Sequence, residues 1–135
     1  MKLRFQSNSI RLRLKRSEVE QFARTGRVEE SIIFGEGAAD IFHYVLETSA
    51  SVTSPQSRLS ENGVLIQIPP HVVARWASGN EVAIEGIQPV GKQENLRVLI
   101  EKDFACLDGT EEENVDTFPH PLAGTKRSAK LRIPY

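Results

Sequence analysis

Two short segments at the start of the chain alternate apolar and polar residues. In Lys2–Gln6 and Ser9–Lys15, every second residue is aliphatic or aromatic, and the residues between are polar or cationic. This period is typical of strands with one buried face. Ser7 and Asn8 separate the segments, so a tight hairpin is predicted. Its register opposes Phe5 to Ile10, Leu3 to Leu12, Arg4 to Arg11 and Lys2 to Arg13.

The hydrophobic period becomes helical after Arg16. An apolar stripe there consists of Val19, Phe22 and Ala23. Ser17 and Glu20 have the S-x-x-E spacing of a capping box, and Gly26 is placed to end the helix. A short amphipathic helix is therefore predicted between the first hairpin and the next strand.

Five further strands and a second helix follow from the same patterns. The predicted strands are Val28–Phe34, Ile41–Thr48, Val64–Ile68, Glu81–Ile87 and Leu96–Phe104. Pro69 and Pro70 end the third of these, and Pro70 begins a helix that closes at Gly79. Ser49–Asn62 is rich in serine and is predicted to be a surface loop.

The order of the elements, ββαβββαββ, and their short connections favour antiparallel pairing. We predict an α+β fold: one mostly antiparallel sheet, strongly bent or partly closed, covered by two short helices. A single core should join the helices to the sheet. Its central residues are Leu12, Phe22, Trp76 and Ile100. No internal repeat is visible in the residues.

The end of the chain differs because its charges come in blocks. Residues 108–116 carry five acids and no base, and residues 126–132 carry four bases and no acid. Such blocks usually stay solvated. At 135 residues the chain fits one domain. We assign residues 1–108 to a single α+β domain and residues 109–135 to an extended charged C-terminal tail.

Composition narrows the class of protein without identifying its chemistry. A net charge of -1 points to neither nucleic acid nor an anionic membrane as a partner. Cys106 is the single cysteine, which excludes an internal disulfide and favours a reducing, cytoplasmic compartment. No segment approaches the roughly 18 apolar residues of a membrane span. Phosphate-loop, dinucleotide-binding and zinc-protease motifs are absent, so no cofactor is predicted.

The polar side of the first hairpin is the candidate site. Its anion-binding candidates are Lys2, Arg4, Arg11 and Arg13. Like charges directly opposite each other destabilise a sheet by several tenths of a kcal/mol, so carboxylates, water or an anion must compensate them. Glu101 and Asp103 are the predicted compensating or metal-binding carboxylates, because they alternate with Arg97 on one polar face.

Other residue groups match known chemistry poorly. The set Asp103, Cys106, Asp108 and His120 fits neither a structural Cys/His spacing nor a two-histidine, one-carboxylate pattern. Cys106 with His120 or His43 has the residue types of a nucleophile and base. A lone cysteine after an apolar strand, however, is most often a small buried hydrophobe. No metal site is predicted.

Three segments carry a family resemblance. They are KLRFQSNSIRLRLKRSEVEQFARTGRVEE near the start, EKDFACL at Glu101–Leu107 and FPHP at Phe118–Pro121. Together they resemble a bacterial family of unknown function over nearly the whole chain up to Pro121. This resemblance implies no activity and transfers no functional residue.

A second, weaker resemblance is to the CYTH-like triphosphate tunnel proteins, closed antiparallel barrels lined by alternating basic and acidic residues. It implies phosphate held by the bases and a divalent cation held by the acids. The residues matching such a lining are Lys2, Arg4, Arg11, Arg13, Glu47, Glu81, Glu85, Glu101 and Asp103. The family's E-x-E-x-K strand is missing, because Lys2-Leu3-Arg4 occupies its place.

Two classes of function follow. The first is a small cytoplasmic binding or protein-interaction module that meets a partner or a second copy through a sheet edge or the tail. The alternative is a phosphate- or triphosphate-binding protein, or a metal-assisted phosphohydrolase of the tunnel type. A hairpin face in open water favours the first, and a cleft with converging Arg and Glu side chains favours the second. The sequence does not decide whether the chain is an enzyme.

Overall fold

The computed structural model describes residues 1–104 and 115–121. Its strands are β1 Lys2–Gln6, β2 Ser9–Leu14, β3 Arg27–Ile33, β4 Ile41–Thr48, β5 Gln56–Ser60, β6 Gly63–Ile68, β7 Ala83–Val90 and β8 Glu94–Lys102. The helices are α1 Arg16–Thr25 and α2 Pro70–Ser78, with a short 3-10 helix at Ala38–Asp40. The predicted α+β class is confirmed.

The strands form two four-stranded mixed sheets. Sheet A has the order β1-β2-β8-β7, and sheet B has the order β3-β4-β6-β5. In each sheet, two antiparallel hairpins join through a central parallel pair, β2 with β8 or β4 with β6. Most pairs are antiparallel, as predicted, but the prediction of a single sheet is wrong, because local periodicity specifies hairpins but not the distant parallel pairs that join them. Within the described residues the two sheets do not close into a barrel.

The strand predictions hold with one omission. β1 and β2 pair as predicted, with Phe5 opposite Ile10 and Arg4 opposite Arg11. β5 falls inside the predicted loop, because Leu59 is the single apolar residue of that strand. It pairs antiparallel with β6, so the predicted order ββαβββαββ becomes ββαββββαββ.

Helix α1 begins differently from the prediction. Its N-cap is Lys15, whose N–H donates to Glu18 Oε1 at 2.9 Å. The N–H of Ser17 donates to the carboxylate of Asp116 at 2.9 Å, and the Ser17 hydroxyl donates to the same carboxylate. The predicted Ser17–Glu20 capping box is therefore wrong, since a residue far along the chain satisfies the free donors. The predicted end of the helix is confirmed, because Gly26 follows the last turn in the left-handed conformation.

Residues 115–121 pack against the domain. The N–H of Phe118 donates to the carbonyl of Asp103 at 2.8 Å, and the rings of Phe118 and Phe104 lie 6.1 Å apart. His120 is buried. Most of the predicted tail falls in residues 105–114 and 122–135, outside the described residues, so the domain boundary at residue 108 stays a prediction.

The core lies between the two sheets and beneath both helices. Leu12, Phe22, Trp76 and Ile100 are all fully buried and belong to one apolar cluster, as predicted. Helices α1 and α2 contact each other over this cluster. One core therefore spans both sheets.

The chain consists of two halves with the same topology. Each is a hairpin, a helix and a second hairpin, so that β1β2α1β3β4 is followed by β5β6α2β7β8. Sheet A combines the first hairpin of the first half with the second hairpin of the second half, and sheet B combines the other two. The relation that maps one half of the chain onto the other therefore also maps sheet A onto sheet B.

Buried residues repeat between the halves at one constant spacing along the chain. The matched pairs are Ile10/Val64, Leu12/Ile66, Leu14/Ile68, Val19/Val73, Phe22/Trp76, Tyr44/Val98 and Leu46/Ile100. Registers repeat as well, since Ile100 pairs with Leu12 in sheet A and Leu46 pairs with Ile66 in sheet B. The structure thus overturns the impression that the chain has no repeat. The repeat is hard to see in the residues because apolar character recurs rather than identity.

The two sheets meet along a seam between the edge strands β5 and β7. The N–H of Ser57 donates to Gln88 Oε1 at 2.7 Å, and Gln88 Nε2 donates to the carbonyl of Ser57 at 3.0 Å. A Cβ at Gly86 would lie 2.7 Å from the Cβ of Pro55, so only glycine permits this approach. A side-chain amide thus satisfies both main-chain hydrogen-bonding groups of one residue at the edge of β5.

The matched seam, between β1 and β3, has a charged cluster at one end. The Met1 ammonium is buried and contacts the carboxylates of Glu18 and Glu30. The Tyr44 hydroxyl lies 2.8 Å from Glu30 Oε2 and 3.0 Å from the Met1 carbonyl. Burial alone raises the pKa of Glu30, but hydrogen bonds with the ammonium, Tyr44 and Glu18 outweigh it and hold that pKa below its usual value. Ion pairs therefore hold this end of β1 against sheet B.

Truncating Leu12 to alanine should lower the free energy of unfolding by about 2–5 kcal/mol, because the side chain is fully buried. Ile66→Ala should cost a similar amount, since Ile66 occupies the matched position. Leu59→Ala is the control, because Leu59 is 81% exposed, and it should cost less than about 0.5 kcal/mol. Denaturant melts measure all three. A loss below about 1 kcal/mol for Leu12→Ala would contradict the packing of the first hairpin.

Asp116→Asn should destabilise the fold at neutral pH by about 0.5–1 kcal/mol, because it removes a negative charge at the start of α1. Hydrogen bonds from the Ser17 hydroxyl and N–H hold the pKa of Asp116 below its usual value of 3.8. A lowered carboxyl pKa stabilises the fold above the unfolded-state pKa, and this stability is lost as the pH falls through the folded-state pKa. The difference in melting temperature between the two proteins should therefore narrow below about pH 4. A difference in melting temperature that stays constant with pH would contradict the role of the Asp116 carboxylate as a charged cap of α1.

Candidate anion-binding face

The outer face of sheet A carries charged residues from all four strands. Its register forms two adjacent rows, Lys2–Arg13–Glu101–Ala83 and Arg4–Arg11–Leu99–Glu85. The four candidate cations thus lie side by side, with Glu101 beside Arg13. We call this surface the cationic face and define it by Lys2, Arg4, Arg11, Arg13 and Arg97 with the acids Glu85, Glu101 and Asp103.

Arg11 and Glu101 form the closest ion pair of the face. Nε and Nη2 of Arg11 both donate to Glu101 Oε1, at 2.9 and 2.7 Å. Glu101 is only 4% exposed. A buried carboxylate is costly unless it is paired and hydrogen-bonded, so Glu101 depends on this guanidinium.

Two further ion pairs complete the charge pattern of the face. Arg13 Nη1 lies 3.9 Å from Asp103 Oδ1, and Arg97 Nε donates to Glu85 Oε1 at 2.9 Å. The face therefore holds five cations and three acids. Strand β1 contributes two of the cations and no acid. The excess positive charge lies toward the outer edge of the sheet.

A shallow cavity of about 570 Å³ opens on this face beside the hairpin turn. It is lined by Gln6, Ser7, Asn8, Ser9, Arg11, Arg97 and Leu99. Two guanidinium groups and several hydroxyl and amide groups thus border one space. Such donors bind carboxylate and phosphate oxygens well. The role of Arg97 in this cavity is missed by the sequence, which marks it only as part of an alternating strand.

Sheet B shows the same surface with fewer cations. The matched positions are Lys2/Gln56, Arg11/Leu65, Arg13/Gln67 and Glu101/Glu47. Glu47 there accepts hydrogen bonds from Gln67 Nε2 at 3.1 Å and from Arg27 Nη1 at 3.3 Å. One guanidinium and one amide therefore satisfy the matched carboxylate. Sheet B thus forms without arginines at these two positions, although in sheet A the buried Glu101 needs Arg11 as its partner.

A buried lysine at the far end of sheet A has a structural role. Lys102 Nζ donates to the carbonyl of Gly79 at 3.0 Å and lies 5.7 and 5.3 Å from the ring centroids of Trp76 and Phe118. Burial lowers the pKa of Lys102, and the charge of Glu81 opposes this shift. The Lys102 ammonium satisfies a carbonyl group at the end of α2 and lies against two aromatic rings. No sequence signal indicates it, because its partners are distant in the chain.

The described part of the chain contains no candidate metal site. Among residues 1–104 and 115–121, no group of three or more His, Cys, Asp or Glu side chains could hold a metal ion. Glu101 and Asp103 face Arg11 and Arg13 instead. Cys106 and Asp108 lie outside the described residues, and His43 bonds Ser31 on the outer face of sheet B.

Fold and surface define a small α+β protein of two ββαββ halves with a cationic outer sheet face. The chain belongs to a family of unknown function, DUF7009, whose sequence profile matches residues 1–122. The resemblance to an uncharacterised family is thereby confirmed. No curated protein and no solved structure matches the chain.

The weaker likeness to tunnel proteins is not confirmed, because the two sheets do not close into a barrel within the described residues. Neither described α-helix is long and apolar enough to cross a membrane.

Arg11→Gln should destabilise the fold by about 3–5 kcal/mol, because it leaves the buried Glu101 carboxylate without its main partner. The double variant Arg11→Gln/Glu101→Gln should recover part of that loss. The exposed pair Arg97 and Glu85 is the control, and Arg97→Gln should cost less than about 1 kcal/mol. Urea melts give the coupling energies. Equal losses for the two single arginine variants would contradict the buried-pair assignment.

Proposed function

We propose that this protein is a non-enzymatic binding module that captures anionic ligands on the cationic face. The supporting observation is the comparison between its own halves. Sheet B satisfies Glu47 with one guanidinium and one amide, whereas β1 and β2 of sheet A carry four cations. Arg11 is needed to pair Glu101, but β5 and β6 of sheet B form with a single cation, Arg58, so the other cations of β1 and β2 fit a role in binding.

Binding is favoured over metal-assisted hydrolysis by the positions of the acids. Glu101 and Asp103 are the carboxylates that would hold a divalent ion, and each faces an arginine instead. A metal would have to displace Arg11 from a buried carboxylate. Capture of a ligand by the outer cations requires no such rearrangement.

The proposed partner is a polyanion, such as an acidic protein segment. The near-neutral net charge of -1 gives little general attraction for nucleic acid, so recognition would depend on the local face. The single cysteine supports a reducing, cytoplasmic compartment as part of this proposal.

Inorganic tripolyphosphate is a suitable probe because it is a compact polyanion. At about 100 times its dissociation constant, it should stabilise the wild-type fold by roughly 2.7 kcal/mol, measured as a rise in melting temperature. Sodium chloride of equal ionic strength should not reproduce the rise. Arg4→Gln/Arg97→Gln should abolish it, because these changes remove exposed or half-buried cations without exposing Glu101.

The matched control is Arg58→Gln/Lys92→Gln, which removes the same charge from other exposed sites. Arg58 is the position in sheet B that corresponds to Arg4. This control should keep the full tripolyphosphate response. Equal responses to tripolyphosphate and chloride, or equal losses in both double variants, would overturn the proposed function.

A further inference from the structure

Strand β1 is an edge strand of sheet A: among residues 1–104 and 115–121, no strand pairs with it on the side that faces away from β2, and we call that side its free edge. In a two-residue hairpin the closing pair is hydrogen-bonded, and such pairs then alternate with non-bonded ones. Gln6 and Ser9 close the hairpin, so the pairs containing Phe5 and Leu3 are non-bonded. The N–H and C=O groups of Leu3 and Phe5 therefore point out from the edge of the sheet.

The other half of the molecule shows how such an edge can be satisfied. Ser57 is the position in β5 that matches Leu3, and its N–H and C=O bond the amide of Gln88 in β7. The position in β3 that matches Gln88 is Ile32, because Ile32 pairs with Phe42 just as Gln88 pairs with Leu96. The isoleucine side chain can neither donate nor accept a hydrogen bond. The seam between β1 and β3 thus cannot be bridged in the way that the seam between β5 and β7 is.

Apolar side chains of β1 and at the end of β3 are exposed. Phe5 is 56% exposed, and at the end of β3 Ile32 and Phe34 are 46% and 76% exposed. Val28, Ile32 and Phe34 share one alternating pattern, but of these three side chains only Val28 is buried. Exposed apolar side chains beside an outward-facing strand edge are typical of strand addition by a partner.

The side chains of β1 indicate which partner fits. Leu3 and Phe5 lie on the inner side, and Lys2 and Arg4 lie on the cationic face. A strand added beside β1 would place its own side chains alternately next to these two sets. Apolar residues suit the inner positions and acidic residues suit the outer ones. A second copy pairing through β1 would instead bring Lys2 and Arg4 against their own copies, which is unfavourable.

We propose that the free edge of β1 binds an extended peptide segment in which acidic and apolar residues alternate. The segment extends sheet A by one strand, with main-chain hydrogen bonds to Leu3 and Phe5. This inference rests on the proposed function, because the acidic side chains of the segment would lie on the cationic face.

A fluorescein-labelled peptide of alternating glutamate and valine tests the inference by fluorescence anisotropy with the full chain. It should bind at least tenfold more tightly than a peptide of the same composition with its glutamates and valines in separate blocks. Two peptides, each N-methylated on one of the two alternate sets of amides, should differ: the peptide whose methyl groups face β1 should lose binding, whereas the other should keep it, because alternate amides point to opposite edges of a strand.

Phe5→Pro should weaken peptide binding at least tenfold, because it removes an outward N–H from the edge. The same substitution is tolerated by the hairpin, since this N–H does not bond β2. The matched control is Leu59→Pro at the corresponding position of β5, which should change the affinity less than twofold. Circular dichroism checks that both variants are folded, and the N-methylated peptides test the inference in the wild type if either is not.

The outcomes separate this inference from the proposed function. Stabilisation by tripolyphosphate together with equal binding of alternating and block peptides would overturn strand addition and leave the anion-binding function standing. Failure of both probes would overturn both. A dimer in sedimentation analysis that Phe5→Pro dissociates would show that a second copy occupies the edge, and would overturn the acidic-apolar peptide as its occupant.

Discussion

The parallel pairing of the second strand of each half with the last strand of the other half holds this fold together. In sheet A, Leu12 of β2 lies beside Ile100 of β8, and in sheet B, Ile66 of β6 lies beside Leu46 of β4. All four side chains are fully buried. An isolated hairpin is at best marginally stable, so neither half can complete a stable sheet alone. The halves must fold onto each other, and both helices then cover the shared core.

This arrangement constrains the inner faces of the sheets much more than the outer ones. The seven matched buried pairs of the core are apolar in both halves, as Phe22 and Trp76 illustrate on the helices. The outer faces are freer to differ because water reaches many of their side chains, and a buried group such as Glu101 is compensated by an ion pair. Sheet A carries Arg11 and Arg13 at the positions where sheet B has Leu65 and Gln67. The comparison of the two halves therefore shows which outer charges are particular to sheet A.

The two seams differ for a related reason. Between β5 and β7, Gly86 allows a close approach and Gln88 bonds the neighbouring strand. Between β1 and β3, the ion pairs of Met1 hold one end, while apolar side chains are exposed toward the other. A molecule built from matched halves thus has one seam bridged by an amide and one that lacks this bridge. This difference is the basis for assigning the interaction surface to β1.

The sequence by itself determined the features that depend on neighbours in the chain. Alternation and a two-residue turn were enough for the register of β1 and β2, and a helical apolar stripe placed Phe22 and Trp76 in the core. The same alternation put the four cations on one side of the hairpin. Only the tertiary structure decided which hairpins share a sheet, that β5 is a strand, and that Asp116 caps α1. These features depend on contacts between distant residues, and local periodicity carries no information about such contacts because it records only which side of an element is buried.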